Sequence, residues 1–222
     1  MRKETLVNDE YYHIYNRGVD KRDIFLDKYD LLRFLKGMEE FNSVDPIGSI
    51  YKNSFSRKDK EQLSDSVTKL LNKDPLVEVV CYCLNPNHYH IILKQVVDGG
   101  ISSFMKRLGG GYSRYFNERH DREGSLFQGK FKVVHIDSNE YLLHLSSYVN
   151  LNNRVHSLDD LKTLSSWSEY IDDVDYCLCK KEIVLDQFKT KKEYEKFAKQ
   201  SLKGILERRQ ETITKDVFLE KV

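Results

Sequence analysis

Hydrophobic and polar positions recur along the chain with two periods, and together they predict strands and helices in a defined order. Apolar or alternating runs rich in β-branched and aromatic residues predict strands over 11–16, 77–84, 88–93 and 130–136. Apolar residues at helical spacing predict helices over about 28–42, 101–120 and 138–152, and a charged amphipathic helix over about 191–206. Asp27 and Ser138 stand where the first and third helices need N-caps. The order strand-helix-strand-strand-helix-strand-helix predicts an α+β fold with a largely antiparallel sheet.

Two stretches interrupt this pattern. Residues 43–75 are polar and only weakly helical around 63–71, so they are predicted to form an excursion from the core. Gly109–Gly111 fall inside the helix predicted over 101–120. Each glycine costs about 1 kcal/mol relative to alanine in a helix interior, so this run is predicted to kink or break the helix.

The composition is that of a folded domain outside the membrane. A chain of 222 residues with 40% hydrophobic content can bury a sizeable core, and 12% aromatic residues exclude a largely disordered chain. A charged fraction of 32% and the lack of any run of about 18 apolar residues exclude a membrane-spanning helix. The N-terminus, MRKETLVNDEYY, has no apolar stretch behind its basic pair, so no signal peptide is expected. The sequence therefore predicts a cytoplasmic protein.

Charge is segregated along the chain although the formal net charge is only +1. The segment 103–135 has a net charge of +4, residues 157–187 have −5, and residues 188–222 have +4. Such segregation is compatible with a local phosphate-binding face, and equally with solvated helix faces.

The first candidate for chemistry is the His88-Tyr89-His90 sequence on the third predicted strand. Side chains alternate faces along a strand, so His88 and His90 project from the same face. Two neutral imidazoles side by side form half of a site for a divalent metal. The alternative is an ordinary polar face of a sheet.

Cysteines near this strand suggest zinc, but the expected hairpin argues against it. A turn over 85–87 would pair Cys83 with Tyr89 and Tyr82 with His90, which turns Cys81 and Cys83 away from the histidines. These two cysteines are therefore predicted to be core residues. The same is predicted for Cys177 and Cys179.

The second candidate is the helix after Ser138. Tyr141, Leu145, Tyr148 and Asn152 lie at i, i+4, i+7 and i+11, on one side of that helix. Such a stripe is usually core. However, Tyr148 and Asn152 are one turn apart, and a hydroxyl nucleophile with an oxygen ligand beside two histidines would suit metal-assisted attack on phosphate.

Residues 112–132, YSRYFNERHDREGSLFQGKFK, interleave aromatic residues with arginine and lysine. Cationic side chains neutralise phosphates, and aromatic faces stack on unpaired bases. Taken alone, this stretch favours nucleic-acid binding modestly, because its aromatic residues also suit a core.

Several of these motifs, in this order, resemble the single-tyrosine HUH transposases (the IS200-like family), and within them the REP-associated tyrosine transposases. The matching segments are YYHIYNRGVDKRDIF, NPNHYHIIL, YSRYFNERHDREGSLFQGKFK, EYLLHLSSYVNLNNRV and WSEY. The resemblance covers about residues 11–170. It implies a catalytic domain over 1–170 with 43–75 as a variable insertion, followed by a charged, mostly helical extension over 171–222.

The resemblance also implies a fold and a site. The fold would be a ferredoxin-like (RRM-like) antiparallel sheet with helices on one side, and the cofactor would be Mg²⁺ or Mn²⁺. His88 and His90 would bind the metal with Asn152, and Tyr148 would be the nucleophile, which are the positions that spacing alone had singled out. Candidate DNA contacts are Asn16, Arg17, Lys106, Arg107, Arg114, Arg119, Arg122, Lys130 and Lys132. His13 and His120 are predicted to be structural or solvent-facing rather than ligands.

Two positions depart from the pattern of the family. Asn153 stands where proline usually follows Asn152, so the end of that helix is expected to differ in shape. The Gly109–Gly111 run lies where the family has an ordinary helix, which affects where the basic helix is placed. Neither departure removes a proposed catalytic group.

The expected activity is cleavage and rejoining of single-stranded DNA at hairpin-flanked sites through a 5′-phosphotyrosine link. Alternatives are a replication or mobilisation nickase of the same chemistry, a non-catalytic or host-domesticated DNA-hairpin binder, and an α+β domain with a zinc site. The sequence leaves open whether the protein is a monomer or a homodimer, and whether Tyr148 acts on the metal site of its own chain.

Overall fold

The computed structural model describes residues 5–48, 50, 74–158 and 162–219, with side chains up to residue 208. Most of the excursion predicted over 43–75 lies outside the described residues. Within the described part of the chain, no helix is both long and apolar enough to cross a membrane.

The centre of the fold is an antiparallel sheet of five strands in the described residues. The strands are β1 (Tyr11–Arg17), β2 (Val77–Asn85), β3 (His88–Gln95), β4 (Lys132–His135) and β5 (Leu164–Ser165). Their order across the sheet is β4-β1-β3-β2-β5. β2 is buried at every residue except Glu78, and β3 is buried at Tyr89, at 91–93 and at Gln95, so the two strands form the middle of the core.

The helices follow the predicted order. They are α1 (Lys28–Glu40), α2 (Gly100–Arg119), α3 (Asn139–Asn150), α4 (Asn152–Val155), α5 (Trp167–Ile171), α6 (Glu182–Leu185) and α7 (Lys191–Leu219). Both predicted caps are present: the Asp27 carboxylate accepts from the amides of Tyr29 and Asp30, and the Ser138 hydroxyl accepts from the amide of Tyr141. Each cap satisfies amides that have no partner inside the helix.

The two faces of the sheet carry different helices. Tyr89 points to one face, where it packs on Phe34 of α1, and Phe34 in turn meets Tyr112 of α2 edge-on. On the opposite face, His90 meets Tyr148 of α3. The α+β fold class and the antiparallel sheet are confirmed, and the predicted layer of helices on one side consists of α1 and α2. Helix α3 adds cover on the other side, where the histidines lie.

The prediction that the glycine run breaks the second helix is wrong. Helix α2 continues through Gly109–Gly111 without interruption. The run leaves room for α1: a Cβ at Gly111 would lie 2.8 Å from ring atoms of Phe41, and a Cβ at Gly37 would lie 2.9 Å from Leu108 Cδ1. The close packing of the two helices offsets the intrinsic cost of glycine in a helix.

This packing predicts opposite effects for two adjacent alanine substitutions. Gly111→Ala is expected to lower the free energy of unfolding by about 1–3 kcal/mol, because the new methyl group overpacks against Phe41. Gly110→Ala, which meets nothing within 4 Å, is expected to raise it by about 0.5–1 kcal/mol. Urea unfolding of both variants and of the unmodified protein measures these changes in the free energy of unfolding. Equal stabilisation by the two substitutions would contradict the helix packing described here.

The register of the β2–β3 hairpin differs from the predicted one by one residue. The turn contains only Pro86 and Asn87, so Asn85 lies opposite His88 and Cys83 lies opposite His90. Opposed residues share a face, and Cys81 lies opposite Ile92, which is on the same face of β3 as His90. The prediction that Cys81 and Cys83 point away from the histidines is therefore wrong. Cys81 and Cys83 are fully buried, as predicted.

The predicted core role of the second cysteine pair holds for one member only. Cys179 is buried, whereas Cys177 is exposed and its thiol donates to Glu169 Oε2 at 3.0 Å. The exposed position of Cys177 corrects its assignment to the core. The same carboxylate oxygen accepts the Cys179 amide at 2.9 Å.

The C-terminal helix holds α3 in place. Tyr194 of α7 is fully buried, and its hydroxyl lies 2.9 Å from Asn150 Nδ2 and 3.3 Å from Ser146 Oγ. Asn150 Oδ1 also accepts from Ser166 Oγ at 2.6 Å, which ties α3 to the residue before α5. The helix that carries Tyr148 is thus held both by α7 and by the residue before α5.

Candidate active site

His88 and His90 lie on the same face of β3, as predicted, with ring centroids 5.2 Å apart. Both are half-buried. Burial is the main reason that the pKa of His88 is lowered to about 4, and burial also holds the pKa of His90 well below its ordinary value. Both imidazoles are therefore neutral at neutral pH, which is the form that ligates a metal.

The hydrogen bonds of His88 define which of its nitrogens carries the proton. Nδ1 lies 2.6 Å from Asn87 Oδ1, and Asn87 is oriented by its amide nitrogen, which donates to the Lys21 carbonyl at 3.2 Å. An amide oxygen can only accept, so His88 Nδ1 is the donor. The lone pair of His88 is then on Nε2, on the side of the ring that faces Asn85 and Asn152.

Asn152 brings an oxygen atom to that lone pair. Its Oδ1 lies 3.2 Å from His88 Nε2, and Asn85 Nδ2 donates to both atoms, at 2.7 Å and 3.0 Å respectively. Asn152 is fully buried, and its Nδ2 has no hydrogen-bond partner among the described residues. His88 Nε2 and Asn152 Oδ1 thus both accept hydrogen bonds from Asn85 Nδ2.

This arrangement fits a small divalent cation. Two neighbouring ligands in an octahedron with bonds of 2.0–2.1 Å are separated by about 3 Å, close to the spacing of the two acceptors. Among the described residues, no group of three or more His, Cys, Asp or Glu side chains is arranged to hold a metal. A cation at this position would therefore depend on His88, His90 and the oxygen of Asn152.

Tyr148 faces this group from α3. Its ring centroid lies 5.5 Å from that of His90 in an edge-to-face contact, and the side chain is half-buried. Helix α3 ends at Asn150, and Asn152 begins the short helix α4 after one intervening residue. This break interrupts the helical spacing from which Tyr148 and Asn152 were predicted to emerge together, and each reaches the histidine pair by its own contact, Tyr148 at His90 and Asn152 at His88. Tyr141, one heptad earlier on the same helix, is 37% exposed.

Three further side chains that the sequence did not place in the site surround the histidines. His13 Nε2 lies 2.8 Å from His90 Nδ1, and the two rings stack at 5.0 Å. His156 meets His88 edge-on at 5.0 Å, and Asn85 donates to His88 and Asn152 as described above. A hairpin turn of two residues would have placed Asn85 opposite His88, whereas His13 and His156 reach the histidines only through contacts between distant segments.

Of the predicted DNA contacts, two lie on the face of the sheet that carries the histidines. Arg17 is opposite His88 in the ladder between β1 and β3. Lys132 is opposite Tyr15, which in turn is opposite His90, and Lys132 is exposed. Since opposed residues share a face, both cations border the candidate active site.

Other predicted contacts have partners within the protein. Asn16 is buried, with its amide nitrogen donating to the Gly129 carbonyl at 3.0 Å. Arg119 binds Asp27 and Asp30, each at 2.7 Å, and His120 also lies against the buried Asp30. The structure thus places His120 in a structural network, as predicted.

The rest of the predicted basic contacts lie on or after α2. Arg107 donates to the carbonyls of Ser43 and Val44, Arg114 pairs with Glu118, and Arg122 donates to Asn117 and to the Ser125 carbonyl. Lys106 and Lys130 are exposed. Because α2 covers the face of Tyr89, the sheet separates its basic residues from the histidines.

Paired histidines on a central strand, with a tyrosine facing them from a helix, form the arrangement that the resemblance to the HUH transposases predicts. Comparison with known proteins agrees with this class: residues 49–152 match the family model described as "Transposase IS200 like". The matched segment contains His88, His90, Tyr148 and Asn152. The resemblance seen in the sequence is thus confirmed by the family model over this segment.

The fold is also similar to that of a solved structure of a REP-associated tyrosine transposase bound to a REP hairpin. The TM-score is 0.50 with 12% sequence identity, and the alignment covers 81% of this chain and 96% of that chain. At this identity the likeness concerns the fold. No curated protein sequence matches the chain.

Proposed function

We propose that this chain is a REP-associated transposase or endonuclease that cleaves and rejoins single-stranded DNA at hairpin-flanked sites. The observation that carries the proposal is the position of Tyr148. Its ring lies against His90 of its own chain, within the same cluster as His88 and Asn152. A hydroxyl nucleophile beside neutral imidazoles and an amide oxygen is the set of groups that phosphoryl transfer to tyrosine needs.

The reaction is balanced without an external energy source. Tyr148 Oη forms a bond to the scissile phosphorus, the bond from phosphorus to the 3′ oxygen breaks, and that oxygen takes up the proton that the phenol releases. The products are a 5′-phosphotyrosine link and a free 3′ hydroxyl. Attack by another 3′ hydroxyl on the link reverses the exchange and rejoins strands, because the covalent bond stores the phosphodiester energy.

The residues around the nucleophile supply position and charge. His88 and His90, with the Asn152 oxygen, would hold Mg²⁺ or Mn²⁺, which would polarise the phosphate as a Lewis acid. Asn85 orients His88 and Asn152 relative to each other through its two hydrogen bonds. The fixed attachment of α3 to α7 keeps the Tyr148 side chain at the histidines during successive steps.

The proposed partner is a DNA hairpin with an adjoining single strand. The similar solved protein is described with a REP hairpin bound to it. In this chain, Arg17 and Lys132 flank the histidine face, and Lys130, two residues before Lys132, is also exposed. Contacts of these cations with phosphates would make binding weaken steeply as salt concentration rises.

The proposal places the nucleophile and the proposed metal ligands in one chain, so a monomer would be able to cleave DNA. Tyr148 contacts His90 of its own chain, and the hydrogen bond from Asn150 Nδ2 to the Tyr194 hydroxyl holds its helix against its own fold. We therefore propose cleavage in cis.

Formation of a covalent adduct tests this function. Purified protein is incubated with end-labelled single-stranded hairpin DNAs and Mn²⁺, and the products are separated on a denaturing gel. The proposal predicts a band of protein bound to DNA that disappears with EDTA. Tight hairpin binding with no adduct on any substrate would indicate a non-catalytic hairpin binder instead.

A further inference from the structure

The contact between His13 and His90 assigns a role to a residue outside the candidate ligands. His13 lies on β1, is 7% exposed, and its Nε2 lies 2.8 Å from His90 Nδ1. At this distance a proton lies between the two nitrogens, so one ring donates and the other accepts. The two possible directions have different consequences for His90.

If His90 donates, its proton is on Nδ1 and its Nε2 carries the lone pair. If His13 donates, His90 accepts at Nδ1, and a neutral His90 ring must carry its proton on Nε2. A protonated Nε2 cannot ligate a metal. The direction of this one hydrogen bond therefore decides whether the second histidine of the pair is able to bind a cation.

The neighbouring histidine shows the first pattern. His88 donates from Nδ1 to Asn87 Oδ1 and keeps its lone pair on Nε2, where Asn85 and Asn152 converge. If each of His88 and His90 donates from Nδ1 to an acceptor, both rings keep their lone pair on Nε2. Asn87 provides it for His88, and His13 is in the corresponding place for His90.

We infer that His13 is the positioning residue that accepts a hydrogen bond from His90 Nδ1 and so keeps His90 Nε2 available as a metal ligand. This inference rests on the proposed function, which requires the metal. Groups that orient ligating histidines in this way typically contribute about 10–100-fold to metal affinity. His13 is held for this role by the β1–β3 ladder, in which its neighbour Tyr15 lies opposite His90, and by stacking of its ring on that of His90.

The first test measures the tautomer in the metal-free protein. Nitrogen-15 NMR of histidine side chains distinguishes Nδ1–H from Nε2–H rings, and the signals of His90 among the seven histidines are identified by their loss in His90→Ala. The inference predicts the Nδ1–H form of His90 in the unmodified protein and a shift toward the Nε2–H form in His13→Phe. An Nε2–H ring in the unmodified protein would overturn it.

The second test measures Mn²⁺ affinity by calorimetry on three variants. His13→Phe, which keeps a ring but has no acceptor, is expected to bind Mn²⁺ about 10–100-fold more weakly. His13→Gln, which offers an amide oxygen, is expected to restore most of the affinity. The matched control His135→Phe changes a histidine on β4 that pairs with Glu10, and its affinity should be unchanged. Unmodified affinity in a folded His13→Phe variant would refute the role of His13.

The two tests separate this inference from the proposed function. If the unmodified protein binds no Mn²⁺ and forms no adduct, the proposed function fails. The tautomer of His90 then still decides the direction of the hydrogen bond to His13. If the protein binds Mn²⁺ and forms the adduct while His90 is in the Nε2–H form, the proposed function holds and His13 is not the positioning residue.

Discussion

Replacing Tyr148 by phenylalanine is expected to abolish covalent attachment of DNA, with a loss of at least about 10³-fold in the single-turnover rate of adduct formation. The ring of the variant can still pack against His90, so the fold and the histidine pair should be unchanged. Hairpin affinity and Mn²⁺ affinity are expected to stay within about twofold of the unmodified protein, because neither depends on the hydroxyl group. Adduct yield on denaturing gels and binding isotherms measure these three quantities.

Tyr141→Phe is the matched control for this substitution. It removes the same hydroxyl from the same helix, seven residues earlier, where the side chain is exposed. Its adduct rate should equal that of the unmodified protein. A Tyr148→Phe variant that still forms the adduct, together with a Tyr141→Phe variant that does not, would move the nucleophile to Tyr141.

The double substitution His88→Ala/His90→Ala is expected to abolish metal binding at the candidate active site and, with it, adduct formation. Loss of both imidazoles leaves only the Asn152 oxygen of the proposed ligand set, so Mn²⁺ affinity should fall by at least about 100-fold. Adduct formation should fall below detection at any Mn²⁺ concentration tested. Hairpin binding should persist, because Arg17 and Lys132 are unchanged.

His135→Ala/His144→Ala serves as the control for the pair. His135 pairs with Glu10 on β4, and His144 is an exposed residue of α3 that contacts Ser201. This variant is expected to bind Mn²⁺ and form adduct normally. Metal-dependent adduct formation that survives the loss of His88 and His90 would place the metal elsewhere and contradict the site described here.

Capping, periodicity and intrinsic propensity, which depend on neighbouring residues, predicted the helices and strands. They gave wrong predictions where packing between elements decided the structure. Asp27 and Ser138 cap the helices that they were predicted to cap, because a cap depends on residues within one turn. The Gly109–Gly111 run was predicted to break α2, because intrinsic propensity counts only the cost of glycine. The space that Gly111 leaves for Phe41 depends on α1, which the local sequence of α2 does not describe.

The same limit applies to the candidate site. His88, His90, Tyr148 and Asn152 could be proposed because period two and helical spacing are readable within single segments. Asn85 was missed because the hairpin turn was taken to be three residues long, and a shift of one residue moves every side chain to the other face. His13 contacts His90 across 77 positions of sequence, and only strand pairing brings them together.

Identification of the residue that carries the DNA tests the central claim most directly. The adduct formed with Mn²⁺ is digested with nuclease and trypsin, and the modified peptide is fragmented in a mass spectrometer. Tyr141 and Tyr148 both lie between Lys132 and Arg154, so fragment ions must separate them. The account predicts a phosphonucleotide on Tyr148. A phosphonucleotide on Tyr141, or on any residue away from the His88 and His90 face, would contradict it.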